Sequence, residues 1–386
     1  MRTLYQKYET LLQNTTTDFK RYLYEKVSWN SRMIGIIGAR GVGKTTMILQ
    51  YIKENLDSKK ALYVSADDIY FSENRLVELA DDFYKNAGEY LFIDEIHKYT
   101  DWSRELKNIY DSFPGLKIVF TGSSILDILK GSADLSRRAI IYTLHGLSFR
   151  EYLNFFHHYE IEAFSLKQII NNEVRLKNIK HPLPLFNDYL NRGYYPFGLE
   201  DEMHLRLGQI IIQTLETDIP QYANLNVGTS RKLKRLLSII AESVPFKPNF
   251  SKIAGIINVS RNSLDDYFLY MEKAGLIGQL RNNTSGIRGL AKVYLDNTNI
   301  IFNLVGDKSN IGNIRETFFF NQMRIKNDVI SSKKNDFVID KYTFEIGGKN
   351  KQQKQIEKDG KSFVVKDDIE YGYRNVIPLW AFGLNY

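Results

Sequence analysis

Residues 38–46, GARGVGKTT, constrain the fold of this chain more than any other stretch, and they directly follow the apolar run MIGII. They satisfy the pattern G-x-x-x-x-G-K-[ST], whose glycines let backbone N–H groups close around phosphates at the N-terminus of a helix. An apolar strand before the loop and a helical pattern after it are the context that this loop requires. The residues expected to hold nucleotide phosphates are Gly38, Ala39, Arg40, Gly41, Val42, Gly43, Lys44, Thr45 and Thr46.

Two adjacent acids, Asp94 and Glu95, end a second apolar strand, YLFIDE. At the C-terminal edge of a strand both side chains can face one site. We expect Lys44 to reach the β- and γ-phosphates of ATP, and Thr45 and Asp94 to bind Mg²⁺. Glu95 would activate the water that attacks the γ-phosphorus. The pair of acids therefore favours hydrolysis of ATP over binding alone.

Hydroxyl and arginine side chains further along the chain also bear on hydrolysis. The strand KIVFTG ends near Thr121 and Ser123, either of which can hydrogen-bond the γ-phosphate or the attacking water, and Ser123 is preferred. Arg137 and Arg138 precede the last predicted strand, AIIYTL. One of them would complete the site of a neighbouring subunit as the positive charge for the transition state. The alternative is a plain pair of surface arginines.

The pattern of apolar runs indicates the fold class and the domain layout. Between about residues 33 and 145, short apolar runs alternate with amphipathic stretches, which is typical of a parallel sheet covered by helices on both faces. We expect this α/β domain, with an N-terminal helix, to span residues 1–147. A helical, aromatic-rich lid is expected at 148–228, a winged helix at 229–303 and a small α+β domain at 304–386.

Several stretches together resemble one family, namely GARGVGKTT, FIDEIHKYTDWSRELKNIYD, VFTGSS, DLSRRAIIYTLHGLSFREYL and GYYP. They are similar to the AAA+-type ATPases of bacteria and archaea that carry a C-terminal domain of unknown function, and the resemblance runs from about Arg32 onward. It implies the strand order 5-1-4-3-2, ATP hydrolysis by the residues named above, and a C-terminal half that combines a winged helix with a restriction-endonuclease-like fold. No clear second sensor arginine stands in the lid, where Arg192 is the nearest candidate.

Residues 250–277 carry a helix-turn-helix rhythm, with Gly275 as the stop of the second helix. Its expected buried positions are Ile253, Ala254, Val259, Leu264, Phe268 and Met271. Between residues 229 and 299, eleven Lys and Arg stand against five Asp and Glu, which fits contacts with DNA phosphates. The candidate DNA contacts are Arg231, Lys232, Lys234, Arg235, Lys252, Arg261 and Asn262. Because Asp265 and Asp266 would repel DNA, a packing module that transmits the nucleotide state is the favoured alternative.

Three acids near the C-terminal end, Glu316, Asp336 and Glu345, resemble the metal-binding acids of restriction-type nucleases. In such sites carboxylates hold Mg²⁺, and a lysine two residues after the last acid orients the attacking water. Gly347 stands at that place, and Lys349 is displaced by two residues. We therefore expect a vestigial nuclease fold, with an active ATP-dependent nuclease as the less favoured reading.

The composition limits the cofactors, the location and the partners. The chain has no cysteine and no His-x-x-x-His spacing, so neither a disulfide nor a structural metal is expected. No apolar run approaches the ~18 residues of a membrane span, and we expect a cytoplasmic protein without membrane contact. The net charge of +7 favours an acidic partner such as DNA.

These observations predict a homo-oligomeric ATPase that uses ATP and Mg²⁺ and whose nucleotide state moves the C-terminal half. The alternative is a nucleotide-gated regulator or defence sensor that acts on a protein partner. Faster ATP turnover in the presence of DNA would favour an ATPase that acts on DNA, because the expected contacts with DNA phosphates lie in the C-terminal half.

Overall fold

The computed structural model describes residues 2–122, 135, 137–223, 225, 227–242, 249–284, 287–332, 334–350 and 361–386. The chain divides into two compact units, Met1–Gly146 and Leu147–Tyr386. The first unit ends one residue before the predicted limit of the α/β domain. The predicted division of the second unit into a lid, a winged helix and a nuclease-like domain stays a prediction.

A five-stranded parallel sheet forms the centre of the first unit, in the order β2-β3-β4-β1-β5. Read from the other edge, this is the predicted order 5-1-4-3-2, so the α/β fold class is confirmed. The strands are β1 (Met33–Ile37), β2 (Ala61–Ser65), β3 (Tyr90–Asp94), β4 (Lys117–Gly122) and β5 (Ile140–Thr143). The inner strands are nearly continuous apolar runs, because helices cover both faces of such a sheet.

The described helices of the first unit are α1 (Arg2–Asn14), α2 (Lys44–Asn55), α3 (Leu76–Lys85) and α4 (Trp102–Ser112). Helix α4 is amphipathic and buries Trp102, Leu106 and Ile109. Because β1, β3 and β4 are parallel, their carboxyl ends meet at one edge of the sheet. The phosphate-binding loop, the acids at the end of β3 and the hydroxyl at the end of β4 therefore share this edge.

Ten helices are described in the second unit, eight of them before its first strand and two after its second. They are α5 (Phe149–His157), α6 (Leu166–Ile170), α7 (Pro182–Arg192), α8 (Met203–Gln213), α9 (Ile219–Ala223), α10 (Val227–Glu242), α11 (Phe250–Ile257), α12 (Arg261–Lys273), α13 (Thr298–Val305) and α14 (Ile311–Met323). Ser148 caps α5 by accepting a hydrogen bond from the Glu151 N–H, while the Glu151 side chain accepts one from the Ser148 N–H. In the part of the chain that the structure describes, no helix is long and apolar enough to cross a bilayer.

The helix-turn-helix rhythm corresponds to α11 and α12, which follow α10 and precede a hairpin. Of the expected core positions all but Val259, which is half-buried, are buried. Gly275 ends α12 with a φ of 75°, and the Leu276 N–H returns to the Met271 carbonyl. The order of elements is compatible with a winged helix, and that assignment stays a prediction.

A mixed seven-stranded sheet completes the second unit, in the order β12-β11-β10-β9-β8-β6-β7. Its strands are β6 (Ile277–Thr284), β7 (Ile287–Leu295), β8 (Val329–Ser331), β9 (Phe337–Ile339), β10 (Tyr342–Gly347), β11 (Ser362–Lys366) and β12 (Val376–Pro378). The β6–β7 hairpin joins the later strands through pairing of Arg281 with Ile330. One sheet therefore runs across the domain boundary predicted at residue 303.

Candidate nucleotide site

The loop between β1 and α2 depends on three of its glycines. Gly41 and Gly43 have φ values of 79° and 96°, in the left-handed region that glycine adopts without strain. A Cβ on Gly38 would lie 2.2 Å from the carbonyl oxygen of Leu144, so that only glycine fits there. The spacing of the glycines is thus explained by backbone conformation and by close packing, independently of any phosphate contact.

Lys44, the first residue of α2, is buried with its ammonium group inside the loop. Its Nζ donates hydrogen bonds to the carbonyl oxygens of Gly38 at 2.9 Å and Ala39 at 3.0 Å. The positive end of the helix dipole lies at the same place. The loop therefore combines a lysine charge and a helix N-terminus, both of which favour a phosphate group.

Asp94, at the end of β3, is held by three hydroxyl groups. Thr45 Oγ1 donates to Asp94 Oδ2 at 2.6 Å, Tyr63 OH donates to the same oxygen at 2.8 Å, and Thr121 Oγ1 donates to Oδ1. Burial and the Asp94 charge raise the pKa of Tyr63 far above its usual range, so that the phenol stays protonated and acts as a donor. The predicted pair of Thr45 and Asp94 is thus in direct contact.

Glu95 follows Asp94 with a left-handed backbone, at φ 51° and ψ 39°. Such a conformation costs a non-glycine residue free energy and is found mainly where function demands it. The Glu95 carboxylate is half-buried, and its Oε2 lies 3.6 Å from Nε2 of the buried His97. The turn at Glu95 thus ends the strand and places the second acid against a histidine.

Thr121 links the two acids. It is fully buried, and its hydroxyl donates to Asp94 while it accepts the Glu95 backbone N–H at 3.2 Å. These two bonds use the hydroxyl for the acids rather than for a phosphate group. Ser123, the preferred candidate for contact with the γ-phosphate, lies outside the described residues.

Arg137 and Arg138 differ in their surroundings. Arg138 forms two parallel hydrogen bonds with Asp111 on α4, Nε–Oδ1 at 3.0 Å and Nη2–Oδ2 at 2.9 Å, and these bonds lower the pKa of Asp111. Arg137 is exposed, and we see no ion pair between it and any residue within the described ranges. Among the described residues of this unit, an acid therefore engages Arg138 and not Arg137.

Three residues near the site had no signal in the sequence analysis, namely Arg21, Tyr63 and His97. Tyr63 is the one aromatic residue in the strand ALYVS, and its hydroxyl group is the only sequence feature that could have indicated a role in the site. Arg21 is 6% exposed and donates through Nη1 to the Val42 carbonyl oxygen and through Nη2 to the His145 carbonyl oxygen at 2.6 Å. It precedes the loop by about twenty residues and belongs to no motif.

In the second unit the predicted nuclease acids surround a lysine. Lys292 Nζ on β7 lies 2.9 Å from Glu316 Oε2 and 3.5 Å from Asp336 Oδ1. Tyr294 OH donates to the same Glu316 oxygen at 2.6 Å, and the Asp336 Oδ2 accepts the Ile346 N–H at 2.9 Å. The structure thus brings Glu316 and Asp336 together around an ammonium group.

Glu345 and Lys349 do not complete this site in the way that an acid and a lysine two residues later would. Glu345 lies on β10, whereas Lys349 is exposed beyond the end of that strand. Across the described segments, no three acidic or histidine side chains are placed to hold a metal ion. The lysine that neutralises the acids comes instead from β7, far away in the sequence.

The candidate DNA contacts fall into two groups. Lys232 donates to the Asn258 carbonyl oxygen at 3.0 Å, and Lys234 pairs with Glu216. Asp265 and Asp266 are exposed on α12. The remaining candidates are exposed, namely Arg231, Arg235, Lys252, Arg261 and Asn262.

Arg192, the nearest candidate for a second sensor, is bound to its own loop. Its Nε donates to the Gly198 carbonyl oxygen at 2.6 Å, and its Nη2 donates to the Glu200 carbonyl oxygen at 3.1 Å. The guanidinium thus stabilises the turn that follows α7, and a sensor role for it stays a prediction.

Comparison with known proteins agrees with this geometry. Residues 30–153 match the model of an AAA domain, and residues 183–307 match a domain of unknown function. An uncharacterized protein of Methanocaldococcus jannaschii is 28% identical over 267 residues, which are 64% of this chain and 56% of that protein. The chain thus spans little more than half the length of this curated relative.

Solved structures show a more distant likeness. The Walker-type ATPase of Pyrococcus abyssi has a TM-score of 0.46 at 14% identity, covering 76% of this chain and 99% of that one. DnaA of Aquifex aeolicus, bound to AMPPCP, has a TM-score of 0.27 at 15% identity, covering 70% and 88%. The matched domain, the sheet order and the phosphate-binding loop agree with one another. The first unit of this chain therefore has the fold of an AAA+ P-loop domain, and residues 30–153 are similar to the AAA domain family.

Proposed function

We propose that this chain is a Mg²⁺-dependent ATPase in which Glu95 activates the attacking water. The observation that carries the proposal is the 2.6 Å hydrogen bond between Thr45 and Asp94. It brings the hydroxyl at the start of α2 and the acid at the end of β3 to one point beside Lys44. A loop that only held phosphate would not need this pairing with a buried acid.

The donor set at this point fits Mg²⁺. The Thr45 hydroxyl and the Asp94 carboxylate are both oxygen ligands, which Mg²⁺ prefers. Tyr63 and Thr121 fix the orientation of the carboxylate through hydrogen bonds to its two oxygens. When bound with ATP, the ion neutralises charge on the β- and γ-phosphate oxygens.

Each remaining side chain has one role in hydrolysis. Lys44 leaves the carbonyls of its loop and binds the phosphates, and Glu95 takes a proton from the water that attacks the γ-phosphorus. His97, buried beside Glu95, holds that carboxylate in place. The bond from the γ-phosphorus to the oxygen of the β-phosphate breaks, and the products are ADP and phosphate.

Replacement of Glu95 tests the proposal. Glu95→Gln keeps the size of the side chain but removes the base, so we expect phosphate release to fall by about a hundredfold or more. Binding of ATP, measured separately, should stay within about threefold. The matched control is Glu89→Gln, because Glu89 is an exposed acid just before the same strand and should change neither quantity. Phosphate release at the normal rate by Glu95→Gln would remove Glu95 from the mechanism.

We further infer that the nucleotide state of the first unit is read by the second unit, and that the chain works as a homo-oligomer. The second unit would act on DNA through the exposed Arg231, Arg235, Lys252 and Arg261. The exposed Asp265 and Asp266 favour a different role, in which a protein partner is bound. Lys292 supports an inactive nuclease fold, because its ammonium lies between the two acids.

ATP turnover with and without DNA distinguishes these two partners. A DNA-directed protein should hydrolyse ATP faster with DNA, and binding should weaken steeply as salt rises. Arg235→Gln should reduce both effects, whereas Lys234→Gln, which removes a lysine already paired with Glu216, should reduce them less. Turnover and binding that are indifferent to DNA would instead favour the protein partner.

A further inference from the structure

The carbonyl groups of the phosphate-binding loop need hydrogen-bond partners. A loop that uses its N–H groups for phosphate leaves its carbonyls to be satisfied by other donors of the protein. Lys44 takes those of Gly38 and Ala39, and the Met47 N–H takes that of Gly43 at 3.1 Å. The carbonyl of the fully buried Val42 accepts from Arg21. Arg21 is therefore part of the structure that sets the loop conformation.

The same guanidinium binds a second segment, the peptide that follows β5. Its Nη2 donates to the His145 carbonyl oxygen at 2.6 Å. The preceding residue, Leu144, donates its N–H to Ile37 at 2.8 Å, and its carbonyl is the group that excludes a side chain from Gly38. The segment 144–146 thus touches the loop directly and through Arg21. In chain order, the second unit begins immediately after it, at Leu147.

The segment that carries Arg21 is anchored to α2, the helix that begins at Lys44. Gln50 Nε2 donates to the carbonyl oxygens of Thr16 and Phe19, both at 2.9 Å. Tyr22 OH donates to the Thr143 carbonyl oxygen at 3.1 Å. Because hydrogen bonds anchor the segment on both sides of residue 21, the arginine side chain holds its position relative to the loop and to β5.

We propose that Arg21 is a positioning residue that couples the phosphate-binding loop to residues 144–146. It sets the loop for nucleotide through Val42, and it transfers the change that nucleotide causes in the loop to the peptide that enters the second unit. This inference rests on the proposed ATPase function, because it assigns the regulation of the same site. It names a residue outside the loop, the acids and the arginines already described.

Two substitutions test the role, and a third is the matched control. Arg21→Gln removes the charge and one arm of the fork, and Arg21→Lys keeps the charge but replaces the two separate nitrogen donors of the fork by one ammonium group. Lys20→Gln removes the neighbouring charge, whose ammonium pairs with Glu54 at 2.8 Å and is well exposed. We expect ATP and ADP to bind about tenfold or more weakly to Arg21→Gln and less weakly to Arg21→Lys. Lys20→Gln should bind both nucleotides normally.

Hydrogen exchange of residues 144–146 separates coupling from simple stabilisation. In the unmodified chain, saturating nucleotide should change the protection of these amides. In Arg21→Gln at saturating nucleotide, that change should be lost, while the amides of β3 keep their protection and show that the unit is folded. Arg21→Lys, which keeps a cation at this position, provides the folded variant if Arg21→Gln unfolds.

The outcomes distinguish this inference from the proposed function. Normal nucleotide affinity in both Arg21 variants, or an unchanged response of residues 144–146 to nucleotide, would overturn the coupling role. Binding of ATP without phosphate release by the unmodified chain would overturn the proposed hydrolysis. That result would not affect the nucleotide-binding and hydrogen-exchange measurements on the Arg21 variants, which would still test the coupling role.

Discussion

At the scale of single residues, the site is organised by the Asp94 carboxylate and the hydroxyls around it. Thr45 and Tyr63 both donate to its Oδ2, and Thr121 donates to its Oδ1. Thr121 also receives the backbone N–H of Glu95, so one buried hydroxyl determines the position of both acids. The chemistry of hydrolysis therefore depends on a residue that need not contact the nucleotide.

Replacement of Thr121 tests this dependence. Thr121→Val keeps the shape of the side chain but leaves an Asp94 oxygen and the Glu95 N–H without their partner. We expect the free energy of unfolding to fall by about 1–3 kcal/mol and kcat for ATP hydrolysis to fall about tenfold. Thr121→Ser keeps the hydroxyl and should retain most of both quantities. A normal kcat in Thr121→Val would show that the hydroxyl does not position the acids for hydrolysis.

The residues that were predictable from the sequence are those whose functional side chain stands within a recognisable local sequence pattern. Lys44 and Thr45 belong to one continuous pattern, and Asp94 ends an apolar run that can only be a strand. Tyr63 contacts Asp94, and Arg21 contacts the Val42 carbonyl of the loop, across the fold, and such pairings leave no mark in a single sequence. Thr121 was considered as a phosphate contact, whereas its hydrogen bonds to both acids were visible only in the structure, and the preference for Ser123 stays a prediction.

At the scale of secondary structure elements, the first sheet follows from the alternation of apolar and amphipathic stretches. Parallel strands joined by helices leave few possible orders, and the family resemblance selected the observed one. The second sheet was harder to predict, because its β6–β7 hairpin joins strands that come after two further helices. Short strands of three residues, such as β8 and β9, also carry too little pattern to reveal their partners.

Lys292 provides a test at this scale, because it joins three elements. Its ammonium on β7 contacts Glu316 on α14 and Asp336 just before β9. Lys292→Met leaves two half-buried carboxylates without a cation, so we expect the second unit to lose about 2–4 kcal/mol of unfolding free energy. The control Lys349→Met removes an exposed lysine and should change stability by less than about 0.5 kcal/mol.

A double substitution shows whether the loss comes from the uncompensated charge. Lys292→Met with Glu316→Gln removes one carboxylate together with its cation, and it should recover part of the stability in denaturant unfolding. If Lys292→Met alone is as stable as the unmodified chain, the lysine does not compensate the acids. The explanation for an inactive nuclease fold would then lose its main support.

At the scale of the whole molecule, the question is whether one subunit completes the site of another. Arg138 is held by Asp111 of its own unit, whereas Arg137 is exposed. We therefore expect Arg137 to supply charge to the nucleotide of a neighbouring subunit. Arg137→Ala should reduce kcat at least a hundredfold without a comparable loss of ATP affinity, and Arg138→Ala should reduce kcat much less.

Mixing two inactive variants decides between action within a subunit and action between subunits. Arg137→Ala supplies sites with an intact Glu95, and Glu95→Gln supplies subunits with an intact Arg137. If the arginine acts between subunits, mixed oligomers contain complete sites, and phosphate release should recover to about a quarter of the normal rate for equal amounts. The mass of the assembly, measured by light scattering with nucleotide, should exceed that of one chain. A monomer, or a mixture that stays as inactive as its components, would place the arginine outside the reaction of a neighbouring subunit.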